Sequence, residues 1–248
     1  MFRNLIATGR LLRFSLHVIY GLLLIKLRFG QLNESQRHAQ IQRWSRMMLS
    51  IFGIELQVSG LAARPGAKLL VANHVSWLDI AAVHSVVPEA RFVSKADVKH
   101  WPLVGGLVTG VGTLFIERSS KRDALRVVHQ MADALKAGDS VAVFPEGTTG
   151  AGPELLPFHG NLLQAAISTE VPIQPLVIRF SEPGERFSSS ARFIGNTTLV
   201  QSLWRVLTAK GLNVSVQVLP SMGTAHADRR LLAEHVREEI QQGLRDAG

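Results

Sequence analysis

From residue 54 onward the chain alternates between two kinds of segment. Short runs rich in Val, Ile, Leu and Phe, at 54–58, 69–72, 91–93, 113–116, 141–144, 173–180 and 214–219, are separated by amphipathic stretches. That rhythm predicts an α/β fold in which a central, mostly parallel sheet is flanked by helices. The best-marked helix is 121–136, where Leu125, Val128, Met131, Ala132 and Leu135 share a stripe, Ser120 with Asp123 supplies a capping-box start, and Gly138-Asp139 supplies a stop. A last helix, about 228–245, places Leu231, Leu232, Val236, Ile240 and Leu244 on one side and charges on the other. Residues 188–190, three serines, read as a loop, and no internal repeat is present.

The first fifty residues have a different character. They carry Arg3, Arg10, Arg13, Lys26, Arg28, Arg37, Arg43 and Arg46 against the single acid Glu34, whereas residues 51–248 hold 19 basic and 18 acidic residues. Nearly all of the net charge of +8 is therefore N-terminal, and it is interleaved with the apolar run 14–25 rather than with the aromatics of a nucleic-acid groove. A mean hydropathy of +0.17 beside that charge points to an anionic membrane surface as partner, with no nucleic acid. Only twelve residues separate Arg13 from Lys26, short of the roughly 20 that a spanning helix needs. The segment is expected to lie in the interface or enter one leaflet, with its flanking cations at the headgroups, and no cleavage site marks it for removal.

A second helical pattern over 35–52 ends at Gly53. Residues 1–52 are thus expected to form a two-helix, membrane-associated segment and residues 53–248 the α/β domain. A chain of 248 residues with 46% hydrophobic content has the material for that one large core.

The most reactive cluster is Asn73-His74-Val75-Ser76-Trp77-Leu78-Asp79, where the run 69–72 ends and a helix can begin. On one continuous helix, residues five apart point about 140° away from each other. With His74 in the turn and Asp79 in the first helical turn, the carboxylate can reach back to the imidazole. A histidine so oriented accepts a proton from an alcohol near neutral pH, while the carboxylate fixes its tautomer and stabilises the imidazolium. Ser76-x-x-Asp79 is also a capping box, which needs no catalysis.

Other chemistries lack their residues. There is no cysteine for a disulfide, thiolate metal site or thiol nucleophile, and no metal site is expected, for want of H-E-x-x-H or paired-His spacing. No G-x-S-x-G elbow supports a serine hydrolase, and the glycines at 105–112 lack P-loop and dinucleotide spacing. Two further segments stand out: Phe144-Pro-Glu-Gly-Thr-Thr149 at the end of an apolar run, where open α/β sheets place ligands, and Gly112-Thr-Leu-Phe-Ile-Glu-Arg118, a run that delivers Glu117 and Arg118 together.

In order and spacing these segments resemble the glycerolipid acyltransferase family, of which the 1-acylglycerol-3-phosphate acyltransferases are the best-known members. His74-x4-Asp79 is similar to the family's first motif, 112–118 to its second, 144–148 to its third and Val171-Pro-Ile-Gln-Pro175 to its fourth, over roughly residues 54–220. The resemblance implies that His74, oriented by Asp79, deprotonates an acceptor hydroxyl that attacks a thioester directly, without an acyl-enzyme. It implies that Lys95 and Arg118 bind the acceptor's phosphate, that Glu146, Gly147 and Thr148 shape the acceptor pocket, and that Pro172 and Pro175 sit by the acyl channel. No cofactor is implied beyond the co-substrate, acyl-CoA or acyl-ACP (acyl carrier protein). The implied location is the cytoplasmic face of a bacterial inner membrane, as a monotopic protein or one with a single N-terminal anchor.

The chain departs from the family's commonest pattern at Thr149-Gly150, where Arg-Ser is frequent, and at His159, where Lys is frequent. The resemblance therefore implies acylation of 1-acyl-sn-glycerol-3-phosphate to phosphatidic acid, with lyso-ornithine lipid or another lysolipid as the alternative acceptor. Keeping both Lys95 and Arg118 favours the phosphate. A non-catalytic lipid-binding protein on the same fold is the alternative of another class, and it has no use for a base with its orienting carboxylate.

Overall fold

The computed structural model describes residues 2–116 and 121–246. Two helices, α1 (Phe2–Leu27) and α2 (Glu34–Phe52), lead into a seven-stranded sheet of β1 (Glu55–Gly60), β2 (Lys68–Ala72), β3 (Ala90–Lys95), β4 (Leu114–Ile116), β5 (Ser140–Val143), β6 (Ile173–Ser181) and β7 (Asn213–Val218). Between the strands lie α3 (Asp79–His84), α4 (Val104–Gly110), α5 (Lys121–Lys136), α6 (Gln164–Thr169) and α7 (Leu199–Thr208), and α8 (Arg229–Asp246) closes the chain. The strand order is β1-β7-β6-β2-β5-β3-β4. Strands β2, β3, β4, β5 and β6 run parallel, while β7 pairs antiparallel with β6 and β1 runs with β7.

All seven expected strands are present, displaced by no more than two residues at either end. Central β2 and β5 are buried at every position, as crossover connections that cover both faces require. Leu69 and Val71 of β2 join the layer made by α5, α6 and α8, while Leu70 and Ala72 join the layer made by α2, α3 and α7. Removing either layer would expose a full apolar face, so the two are held by one sheet.

The helices at 121–136 and 228–245 form where their periodicity places them, but their faces are rotated from the simplest stripe. Leu125 and Leu231 are exposed, and Val127, Ala134 and Ala233 are buried in their stead. In α5 the small residues Ala132 and Ala134 are buried beside Met131 and Leu135, which a count of large apolar residues does not detect. Ser120, the expected partner of Asp123 in a capping box, lies outside the described residues.

Helix α2 starts with a capping box, Asn33 with Gln36, and stops at Gly53, whose φ of 73° is left-handed. Much of the N-terminal charge is spent on helix ends rather than left for a partner. Arg3 and Arg10 donate to the Thr208 and Leu207 carbonyls at the carboxyl end of α7, Arg37 donates to Phe29, and Arg46 to Ser85 at the end of α3. Arg13, Lys26, Arg28 and Arg43 are exposed. Across α1 and α2, His17 and Trp44 stack at 4.7 Å and exchange ring-to-carbonyl hydrogen bonds of 2.9 and 3.1 Å.

The opposite face of α1 carries Leu5, Leu12, Leu16, Ile19, Leu23 and Leu27, all exposed and spaced to form one stripe. Among the described residues no helix is long and apolar enough to cross a membrane.

Candidate active site

The parallel strands β2, β3 and β5 end on one edge of the sheet, and the segments that leave them there meet. Buried Asn73 extends β2 beyond its last regular pair: its side-chain amide donates to Ile178 O and accepts from Ile178 N, both at 2.8 Å, and so imitates a strand residue toward β6. His74 follows at the point where the chain leaves the sheet.

The His74 Nδ1–H donates to Asp79 Oδ2 at 2.8 Å, from a side chain 20% exposed to one fully buried. The carboxylate reaches back from the first residue of α3, which is how a separation of five is closed. The same Oδ2 also accepts the Val75 and Ser76 N–H groups at 2.7 and 2.9 Å. Ser76 returns no hydrogen bond to the Asp79 N–H, which instead donates to the Ser76 carbonyl. Half of the capping box is therefore present, and the carboxylate has the imidazole as its third donor. The imidazole lies flat on Phe144, centroids 4.1 Å apart, and Phe144 in turn stacks on Phe92. With Nδ1 held and one ring face covered, Nε2 is the free nitrogen.

The loop after β5 holds the backbone of His74 from the other side. Glu146 Oε1 accepts the His74 N–H at 2.7 Å, Gly150 N–H donates to the His74 carbonyl at 2.7 Å, and Glu146 Oε2 accepts the Leu156 N–H at 2.9 Å. Both Glu146 oxygens are thus occupied by main-chain donors. Burial raises this carboxyl above its ordinary range, and the two N–H donors offset part of that rise. Gly147 makes the turn with φ 71°, and a Cβ there would come within 3.0 Å of the His159 ring. Thr148 is exposed beside it. Thr149 Oγ1–H donates to Phe193 O, and Phe193 N–H donates to Val75 O at 3.0 Å, so a later segment joins the loops that follow β2 and β5.

Lys95, the last residue of β3, is exposed and lies in register with Ile116 of β4. Glu117 and Arg118 lie outside the described residues. Pro175 is inside β6, opposite Val71, and Pro172 accepts from Leu69 at the entry to that strand, so both prolines are framework of the sheet. No group of side chains able to hold a metal ion is found among the described residues. A groove of about 500 Å³ lined by Arg91, Phe115, Gln130 and Asp133 lies by the other end of the strands, away from His74.

The sequence brings forward His74, Asp79 and the turn at 144–149, but not Asn73, Gly150 or the two-sided use of Glu146. Those depend on pairings across 72–105 residues. The one local signal was an Asn directly before the histidine at a strand's end, a residue type able to mimic a backbone pair.

A family model described as Acyltransferase matches residues 55–179. The lyso-ornithine lipid O-acyltransferase of Pseudomonas aeruginosa is 36% identical over 201 residues, covering 81% of this chain and 76% of that one. The 1-acyl-sn-glycerol-3-phosphate acyltransferase of Neisseria meningitidis is 33% identical over 220 residues, covering 88% and 85%. The crystal structure of the 1-acyl-sn-glycerophosphate acyltransferase of Thermotoga maritima superposes with a TM-score of 0.70 over 96% of this chain and 97% of that one, at 18% identity, a likeness of fold.

Proposed function

The chain belongs to the acyltransferase family, and on that premise we propose that it transfers a fatty acyl group from acyl-CoA or acyl-ACP to the sn-2 hydroxyl of 1-acyl-sn-glycerol-3-phosphate, forming phosphatidic acid. The observation that carries this reading is the His74–Asp79 pair, with Nδ1 bound to a buried carboxylate and Nε2 free at the sheet edge.

In this mechanism Nε2 takes the acceptor's hydroxyl proton as the oxygen attacks the thioester carbonyl. The tetrahedral intermediate collapses, the C–S bond breaks, and the thiolate leaves with the proton from the imidazolium. No covalent enzyme intermediate forms. General-base help of this kind contributes about 10²–10⁴ in rate. Asp79 fixes the tautomer and stabilises the imidazolium as it forms. Lys95 and Arg118 bind the acceptor's phosphate, and Gly147 and Thr148 border the acceptor. Glu146, with both oxygens on main-chain N–H groups, holds His74 and the 147–156 loop in place.

The protein works at the cytoplasmic face of a bacterial inner membrane, with residues 1–52 as its membrane-binding part and the exposed stripe of α1 in the interface. The inward side of α1, including Ala7, His17 and Val18, is buried against the rest of the protein. Substitutions on the exposed stripe therefore test this better than deletion of the helix.

A second reading, acylation of lyso-ornithine lipid, is favoured by Thr149, which binds a backbone carbonyl and brings no charge to the loop, and by the 36% identical relative. The deciding experiment offers detergent-solubilised wild type and His74→Ala lysophosphatidic acid or lyso-ornithine lipid, with acyl-CoA and then acyl-ACP. Transfer to lysophosphatidic acid that His74→Ala abolishes supports the first reading. Transfer to the ornithine lipid alone replaces it with the second, and no His74-dependent transfer to either overturns both.

A further inference from the structure

The segment between β3 and α4 is built as an exposed apolar finger. A 3₁₀ turn over Ala96–His100 leads to Trp101-Pro102-Leu103, all three exposed, with Trp101 and Leu103 at 45% and 57% of their full accessible area. The tip is not a floppy loop. Trp101 N–H donates to Val98 O at 3.1 Å, Gly105 N–H donates to Trp101 O at 2.9 Å, and Val104 N–H donates to Pro102 O at 2.7 Å. That last bond spans two residues and closes a γ-turn at Leu103, whose φ of 63° and ψ of −49° are strained for a residue with a branched side chain. A strained turn persists only where its surroundings over-determine it, and here it holds two large apolar side chains in water. Gly105 completes the base, since a Cβ there would come within 2.1 Å of Lys99 O.

The finger points to the same end of the molecule as His74 and α1. It leaves the carboxyl end of β3, parallel to β2, whose own carboxyl end gives His74. Arg10 of α1 donates to Leu207 and lies over Gly53, and the chain from those two points enters β7 and β1, which start at that same edge because they run antiparallel to β6. Farther along, Leu22 and Ile25 of α1 pack on Gly106 and Gly110 of α4, so the helix that follows the finger is fixed to α1.

We infer that Trp101 and Leu103 form a second membrane contact, a finger inserted into the interface of an anionic bilayer beside the α1 stripe. This rests on the reading above that α1 seats on a membrane. The chemistry suits a lipid surface rather than an apolar protein groove. An indole at the tip, the ring that favours the headgroup level, shares the segment 95–103 with exposed Lys95, Lys99 and His100, and Asp97 is the one acid within that segment. Because Lys95 is at the finger's root, insertion brings a phosphate ligand to headgroup level, and a lysolipid can reach His74 without leaving the bilayer plane. Being closed by its own hydrogen bonds, the finger loses little conformational freedom on insertion.

The absence of cysteine allows a direct test with the full chain. Trp101→Cys, Leu12→Cys on the α1 stripe and Leu231→Cys on the exposed side of α8 are each labelled with nitrobenzoxadiazole and mixed with phosphatidylethanolamine–phosphatidylglycerol vesicles bearing nitroxides on the acyl chains. The expected result is a blue shift and strong quenching at 101 and 12 and neither at 231. A response at 12 without one at 101 overturns the finger while leaving the α1 seat, and no response at either overturns the membrane reading itself. A response at 101 to soluble acyl carrier protein, with none to vesicles, assigns the finger to the donor and also overturns the proposal. In addition, Trp101→Ser/Leu103→Ser, with folding verified by circular dichroism, is expected to weaken vesicle binding by roughly tenfold. Unchanged affinity would contradict it.

Discussion

The two ends of the sheet treat buried charge in opposite ways. At the end away from His74, cations and anions are matched. The Lys68 ammonium, wholly buried, donates to Glu89 at 2.8 Å, Ser140 Oγ at 3.0 Å and Gly66 O at 3.3 Å, and Arg91 pairs with Asp139 while its Nε–H donates to Gly112 O. At the His74 end, two buried carboxylates stand without a cation among the described residues. Asp79 and Glu146 accept only main-chain N–H groups and the imidazole. Matched pairs hold a structure together and have nothing left to give. Carboxylates held by neutral donors keep their charge uncompensated, and in the proposed reaction that of Asp79, bonded to His74 Nδ1, stabilises the imidazolium formed during transfer.

The largest break in this contrast is Asp79→Asn. It keeps the side chain's shape but removes one charge and the tautomer control, so kcat should fall by about 10³–10⁴ with the melting temperature little changed, measured as steady-state acyl transfer beside calorimetry. Glu146→Gln is next. Its amide nitrogen must face one of two N–H donors, which loosens either His74 or the loop at 156, and a fall of about 10² in kcat with KM nearly constant is expected. Equal effects on kcat and KM would instead assign Glu146 to acceptor contact.

Changes at the paired end should alter stability and spare turnover. Glu89→Gln leaves the Lys68 charge buried with no anion and should cost about 2–4 kcal/mol in urea unfolding while kcat per folded molecule stays within twofold. The smallest effect is one of pH. His84, buried with its Nε2 hydrogen-bonded to Ala90 O, is held neutral by desolvation, its pKa lowered to about 4. In the unfolded chain it titrates near 6.5, so its contribution is complete above that value and is lost as pH falls from about 6.5 toward 4. Stability should drop by about 1 kcal/mol at pH 5.5, and His84→Gln should remove that part of the slope. A slope unchanged in His84→Gln would place the sensitivity elsewhere.

Much of this architecture is written locally. Strands such as β2 and β5 are short apolar runs with punctuated ends, and no tertiary contact overrides them. Helix α7 is missed in the sequence, although Thr198-x-x-Gln201 is a capping box that forms reciprocally, because the helix is only ten residues long. Helix α4 carries three glycines in seven residues, a composition that reads as loop, and packing on α1 overrides that propensity. In the site, His74 and Asp79 are close enough in sequence for geometry to be worked out beforehand. Glu146 was visible as an unusual residue, but its partners are set by how the loops after β2 and β5 meet. The N-terminal charge was read correctly in amount, while its division between helix ends and open surface depends on where α7 and α3 finish.

The hydrogen bonds from Arg3 and Arg10 to α7 span 205 and 197 residues, so α1 is synthesised well before the helix that receives them. At about 5–20 residues per second, roughly 10–40 s pass on the ribosome between the emergence of Arg10 and that of Leu207. Throughout that interval Arg3 and Arg10 lack these acceptors, although Trp44 of α2 and Gly106 and Gly110 of α4, which also pack on α1, emerge earlier. On the proposed membrane reading, a bilayer close to the ribosome is a surface on which such a helix can wait while the rest of the domain is assembled beneath it.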